Sequence, residues 1–234
     1  MSEDVNEDAN KDENEDMSED ISSILKEWDN DPDEGSIRRI VGSDGREKIQ
    51  IRVQFGLLQL EADGRPDGKK PYGHESFLEY FLDLVETYKE EQGTDEGFEL
   101  DSHDCDKLHE EALQYYHRYV SLFELGDYER SERDTARNLR VLDLIKRYAE
   151  SREDVQDVEK YRPYITMMNA RAKAYIHMDD DDYAEATAVV NEAIATITDF
   201  YRENGIDDSQ IEKSQELGIL EVTAKEIRNK WEGD

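Results

Sequence analysis

From Ser76 onward, apolar side chains recur at intervals of three and four, the spacing of helices that bury one face. Phe77, Tyr80, Phe81, Leu84 and Tyr88 define one predicted helix, and Leu108, Ala112, Tyr115, Tyr119 and Leu122 a second. Gly126 is placed to end the second, and Asp127 to cap a third with the face Tyr128, Ser131, Leu139, Leu142 and Ile145. Pro163 suits the first turn of a fourth, which continues through Ile165, Met168, Ala172, Tyr175 and Ile176. Asp182 then caps a helix along Tyr183, Ala186, Val190, Ala193, Ile194, Ile197 and Phe200. A last one, starting at Asp207 or Asp208, follows Leu217, Leu220, Ala224, Ile227 and Trp231.

Upstream the period falls to two. Segments 37–41 and 48–55 read as strands joined by Ser43-Asp44-Gly45, since Asp-Gly tolerates the positive φ of a tight hairpin. Ile49, Ile51, Val53 and Phe55 alternate with Gln50, Arg52 and Gln54, and Gly56 is expected at a bulge or bend before a third strand, 57–61. Three strands cannot bury two faces, so the sheet requires helices against it. Ile21, Ile24, Leu25 and Trp28 form a short amphipathic stripe ended by Pro32 and Gly35. It docks on the protein's own body, as the marginal stability of short isolated helices favours, or anchors in a partner's groove through Trp28. The expected fold is therefore α+β and predominantly α. Residues 1–16 form a disordered acidic tail, 17–35 a short helix and linker, 36–70 a small antiparallel sheet, and 71–234 a helical-repeat domain.

The two capped turns carry the repeat. Aligning Tyr128 with Tyr183 also aligns Asp127 with Asp182, Ser131 with Ala186, Leu139 with Ile194, Leu142 with Ile197 and Ile145 with Phe200. Each block reads as helix, tight acidic turn, helix, the pattern of stacked hairpins that bury their faces against one another. The second-helix starts are tetratricopeptide-like, with the turns 55 residues apart rather than the usual 34. One apolar seam through both hairpins is expected.

Charge changes the picture in two places. The 234 residues carry a net charge of −32, and residues 1–35 hold 15 acids against Lys11 and Lys26. So acidic a surface is repelled by duplex phosphate and anionic lipid. Residues 36–72 run the other way, with Arg38, Arg39, Arg46, Lys48, Arg52, Arg65, Lys69 and Lys70 against five acids. They either contact a nucleic acid or phosphate, or pair with the protein's own acidic tail or helices; the field of the whole molecule favours the second. Cys105 is the sole cysteine, so no intramolecular disulfide forms and a reducing compartment is expected. With neither a secretory leader nor a long apolar run, the expected location is cytoplasmic, with no membrane contact.

Candidate chemistry is thin. His103, Cys105 and His109 supply three zinc-type ligands, but Cys105 also extends the stripe of Leu108 and Ala112, and a half-buried thiol is the simpler reading. Asp29, Asp31 and Asp33 open like a calcium loop, yet Glu34 and Ile40 stand where that loop needs glycine and a bidentate glutamate. The loop 63–68 has glycines without the Gly-Lys-Ser/Thr of a phosphate loop. No nucleophile elbow or general-base motif is present. Neither catalytic residues, metal nor cofactor are expected.

A wider resemblance covers Glu19 to Tyr201. It is carried by Asp44-Gly45-Arg46, Phe55-Gly56-Leu57-Leu58-Gln59-Leu60, Asp63-Gly64-Arg65-Pro66-Asp67-Gly68 and Tyr115-Tyr116-His117-Arg118-Tyr119. Leu125-Gly126-Asp127-Tyr128, Tyr161-Arg162-Pro163-Tyr164 and Met167-Met168-Asn169-Ala170-Arg171-Ala172 belong with these. The segments resemble a bacterial family, common in planctomycetes, of UvrB/UvrC-motif (UVR) domain-containing proteins. Its members often carry a UVR helical hairpin near the C-terminus, which mediates protein–protein contact in excision repair; 227–234 carries no clear copy. The resemblance implies no defined activity and assigns no functional residues.

These readings converge on a noncatalytic protein–protein interaction adaptor that presents Tyr115, Tyr116, Tyr119 and Trp28 to a protein partner. The alternative is a nucleic-acid-associated or DNA-repair accessory protein, acting through UvrB/UvrC-type contacts or by acidic mimicry of DNA.

Overall fold

A computed structural model describes residues 21–28 and 36–233. The expected tail, the Pro32–Gly35 stop and the Asp29, Asp31 and Asp33 pattern lie outside the described residues. The order is α1 (Ser22–Glu27), β1 (Ile37–Val41), β2 (Glu47–Val53), β3 (Gly56–Glu61), a 3-10 turn (Pro71–Gly73), α2 (Phe77–Gln92), α3 (Ser102–Glu124), α4 (Tyr128–Tyr148), α5 (Arg152–Glu159), α6 (Arg162–Asp179), α7 (Tyr183–Glu203), α8 (Asp208–Ile211) and α9 (Gln215–Gly233). The protein is α+β and predominantly α: a small antiparallel sheet followed by a helical body.

The sheet order is β1-β2-β3, with Ile49 opposite both Arg39 and Leu60. Gly45 takes φ 73° in the first hairpin, where the Asp44 carboxylate accepts from the Arg46 backbone at 3.1 Å. The second hairpin differs from expectation. Val53 pairs with Gly56, so Gln54 and Phe55 form the turn, and the Phe55 ring stands out in solvent instead of joining the Ile49 face. The Ile49 face packs toward α3 and α4. The opposite face carries a cross-strand ladder in which Arg38 Nε donates to Gln50 Oε1 and Gln50 Nε2 to Gln59 Oε1, both at 2.9 Å. Trp28 covers that ladder, under the Arg38 guanidinium at 4.1 Å, and Arg52 Nε donates to the Trp28 carbonyl. Trp28, the last residue of the predicted stripe, thus docks on the protein's own sheet, while Ile21 stays exposed.

The helical body is two hairpins, α3–α4 and α6–α7, with α4 against α6, α2 outside α3, and α9 closing the far side over α6 and α7. Both hairpin turns are built alike. Gly126 (φ 74°) and Asp181 (φ 59°) adopt the left-handed conformation. Asp127 and Asp182 then donate backbone N–H groups to Leu122 and His177 carbonyls, each at 2.8 Å. Their carboxylates accept from Arg130 and Glu185 N–H groups, capping α4 and α7. The wide spacing of the turns reflects the length of α4 and α6, 21 and 18 residues, together with α5, an eight-residue helix absent from the sequence reading that comes between them in the chain. Asp207 caps the separate short helix α8, and α9 begins only at Gln215.

The expected single seam is replaced by two apolar clusters. One joins α2, the start of α3, the end of α4, and α5, around Leu78, Phe81, Leu108, Val141 and Ile145. The other joins α6, α7 and α9 around Met167, Ala186, Val190, Ile197 and Leu220, with Tyr119 from α3. On α2 the buried stripe is Leu78, Phe81 and Val85, one position from the expected face, and Trp231 is exposed on α9, stacked outside Tyr183. Between the clusters the first half of α4 buries Ser131, Asp134, Thr135 and Asn138. Ser131 Oγ donates to the Tyr119 carbonyl (3.0 Å), Asn138 Nδ2 to the Ala112 carbonyl (2.9 Å), and Asn169 Nδ2 of α6 to Thr135 Oγ1 (3.0 Å). Each buried polar group costs free energy unless paired, and here the pairs link α3, α4 and α6 in one register.

Candidate functional site

Helices α3 and α6 flank α4 without closing over it, and the space between them is an apolar groove. Its volume is about 440 Å³. The α3 wall offers His109, Leu113 and Tyr116; α5 and its junction with α6 offer Val158, Tyr161 and Tyr164; Val141 and Leu142 of α4 form the floor. The His109 and Tyr161 rings lie 5.8 Å apart across one end, and Tyr116 and Tyr164 6.1 Å apart farther along. Beyond them the space is filled. Phe123 meets Tyr175 at 5.5 Å, Tyr175 stacks on Tyr128 at 4.7 Å, and Arg171 lies over the Phe123 ring. Leu113 (52% exposed) and Tyr116 (37% exposed) present large apolar surfaces at the mouth. Burial pushes the Tyr164 phenol up, assisted by its Tyr116 hydrogen-bond partner, so it stays neutral near physiological pH.

The four residues expected to meet a partner separate in the structure. Tyr116 stands at the groove. Tyr119 lines its base but is 1% exposed, part of the core. Tyr115 is 6% exposed and faces away, between the Arg118 and Arg137 guanidiniums, its hydroxyl 3.4 Å from the Gly64 carbonyl. Trp28, also 6% exposed, is held on the sheet. Tyr115 and Trp28 thus make internal contacts and offer little surface to a partner. Sequence reasoning missed Leu113, His109 and Tyr161. The available signal was an apolar residue off the buried stripe, Leu113, four after one aromatic ring and three before another.

Cys105 points into the core beside Leu108. Burial, then the nearby carboxylates of Asp154, Asp104, Asp101 and Asp106, push its thiol up to about 12. His103 is exposed and His109 turns to the groove, so the three side chains diverge; among the described residues no three His, Cys, Asp or Glu side chains form a metal-sized group.

The basic segment is engaged internally. Arg39 pairs with Asp127 (3.0 Å), Lys48 with Glu61, Lys70 with Glu75, and Arg65 with Glu111 (3.0 Å). In return Arg130 and Arg133 of α4 hold Asp63 at 2.9 and 2.7 Å. Arg118, itself bidentate on Asp134 (2.6 and 3.0 Å), donates to the Glu61 and Gly64 carbonyls at 2.9 and 2.8 Å. Glu111 is the deepest of these charges. It accepts from the Phe77 and Leu78 N–H groups at the start of α2, and pairs with Arg65 and Arg137. Burial pushes Arg137 down, to about 9, which leaves it charged at neutral pH opposite Glu111.

No protein-family model matches the chain, and no curated protein or solved structure matches it either. Among the described residues no helix is long and apolar enough to cross a membrane.

Proposed function

We propose that this protein is a noncatalytic adaptor that holds another protein through the groove between its tetratricopeptide-like hairpins. The observation that carries the reading is the groove itself: apolar, aromatic-walled, and open at Leu113 and Tyr116 while its far end is plugged by the protein's own rings. Aromatic side chains give large contact area for little lost rotamer freedom, which suits a docking surface. Its one imidazole, His109, lies against the Tyr161 ring with no carboxylate, thiol or lysine in the lining to work with it, which supports a binding role over acid–base or nucleophilic work. A cytoplasmic location belongs to this proposal, on the strength of the lone buried thiol. A nucleic-acid role through residues 36–72 has weaker support, because most cations there already face carboxylates of this chain.

The test is a crosslinked affinity purification from the native cell with the wild-type chain and with Leu113→Glu. Leu113 is half exposed, so the variant should fold, and its circular dichroism melt verifies this. A stoichiometric protein partner is expected with wild type and at least about tenfold less with the variant, the cost of putting a charge into an apolar contact. Recovery of no such partner, or equal recovery by both, sinks the reading.

A further inference from the structure

The exposed carboxylates at the rim of the groove gather at one end, on α3 and α5. Along α3, Asp106 stands three residues before His109, and Glu110 three before Leu113, which makes each a neighbour of a groove residue on the helix surface. On α5, Asp154 stands four residues before Val158, and Asp157 four before Tyr161 at the junction with α6. Ser102 Oγ at the start of α3 donates to Asp154 Oδ2 of α5 at 2.8 Å, so α3 and α5 bring their carboxylates to the same end of the groove. The cations nearby are few and occupied: Lys107 pairs with Asp104 at 2.8 Å, and Lys160 with Asp157 at 3.4 Å. Among the described residues, Asp106 and Glu110 have no ion pair, and both are exposed.

We infer that the groove takes a short peptide segment that combines one or two large apolar side chains with flanking lysine or arginine. The inference rests on the adaptor reading and narrows it to one partner chemistry. The apolar side chains would fill the space above Val141 and Leu142 and lie against Tyr116 and Tyr161, where desolvation of carbon surface supplies the affinity. The basic residues would meet Asp106, Glu110 and Asp154 at the open end. At such an exposed rim, charge contributes chiefly to association rate and partner choice, and salt weakens it. The net charge of −32 adds long-range attraction for a basic segment and repels acidic competitors. An acidic amphipathic segment would bring its flanks against the Asp106 and Glu110 carboxylates, a like-charge contact that discriminates against it, and a neutral one would gain nothing from them.

The experiment selects from a random 12-residue peptide display library on the immobilised full-length chain, with Leu113→Glu and the double variant Asp106→Lys/Glu110→Lys as parallel baits. Enriched sequences should carry leucine or aromatic anchors beside an excess of Lys and Arg. Synthesised singly, such peptides should bind wild type at least about tenfold more tightly than either variant, and lose affinity as sodium chloride rises from 50 to 300 mM (about sixfold in ionic strength). Enriched peptides with apolar anchors but neutral or acidic flanks, sensitive to Leu113→Glu and indifferent to the charge reversal, overturn the basic chemistry and leave the adaptor reading standing. Peptides that bind Leu113→Glu as well as wild type, or no enrichment at all, overturn the groove as the docking site.

Discussion

At the scale of single residues, the two hairpin turns offer a natural comparison, because the same backbone motif holds glycine in one and aspartate in the other. Left-handed φ costs an L-residue about 1 kcal/mol through the crowding of Cβ against its carbonyl, and glycine escapes it. Gly126→Ala, at φ 74°, should therefore lower stability by about 1 kcal/mol. Asp181→Gly, at φ 59°, should raise it, by less than that, because aspartate tolerates the conformation better than alanine and glycine adds entropy to the unfolded chain. Urea denaturation of the two variants checks both signs; equal destabilisation would contradict the equivalence of the turns. Asp127 and Asp182 were legible as caps from their place before the helical period. Tyr115 was not legible as an internal residue. A tyrosine on a buried stripe reads the same whether its ring meets a partner or two of the protein's own arginines, and Arg118 and Arg137 lie 3 and 22 residues farther along the chain.

At the scale of elements, Glu111 joins three parts of the fold that have little else in common. It caps α2 from another helix, anchors the 63–68 loop through Arg65, and neutralises Arg137 on α4. Removing one partner of a buried ion pair leaves the others desolvated and unpaired, at a cost of about 3–5 kcal/mol. Glu111→Ala should lower stability by about that much, and hydrogen exchange should show the first turn of α2 and the 63–68 loop losing protection before the α6–α7 hairpin. Uniform loss across all helices would argue against the latch. The helices of the body were legible because apolar period and caps agreed, and so was the three-stranded sheet. The polar half of α4 was invisible to a reading based on hydrophobic spacing: Asp134, Thr135 and Asn138 look like a solvated face until the helices on either side are known. The groove went unseen for the related reason that α5, too short for a clear period, supplies part of its wall.

At the scale of the whole molecule, the surplus of negative charge opposes the compact state while particular carboxylates support it. Raising sodium chloride at neutral pH should raise the melting temperature, since screening weakens the self-repulsion of a chain at −32 more than it weakens short internal pairs. Asp63 behaves differently. Burial pushes its carboxyl up, but the hydrogen bond and charge of Arg133 and the charge of Arg130 outweigh this, and the net shift is downward. A carboxylate lowered in the folded state contributes stability that is fully present above its unfolded value, about 3.9, and is lost as pH falls through the lower folded value. Urea midpoints below about pH 4 should therefore fall less steeply for Asp63→Asn than for wild type. Parallel slopes would mean that Asp63 does not fasten the sheet.

The hydrogen bonds from Ser131 and Asn138 to α3, and from Asn169 to Thr135, have a consequence for recognition. Greasy surfaces slide past one another at small cost, whereas a one-turn slip of α4 would strand every one of these donors. The opening between α3 and α6 is consequently a fixed gauge, cut to size before any ligand arrives. A peptide seated there would be measured against a rigid slot, and little of its adhesion would be spent on reshaping the receptor.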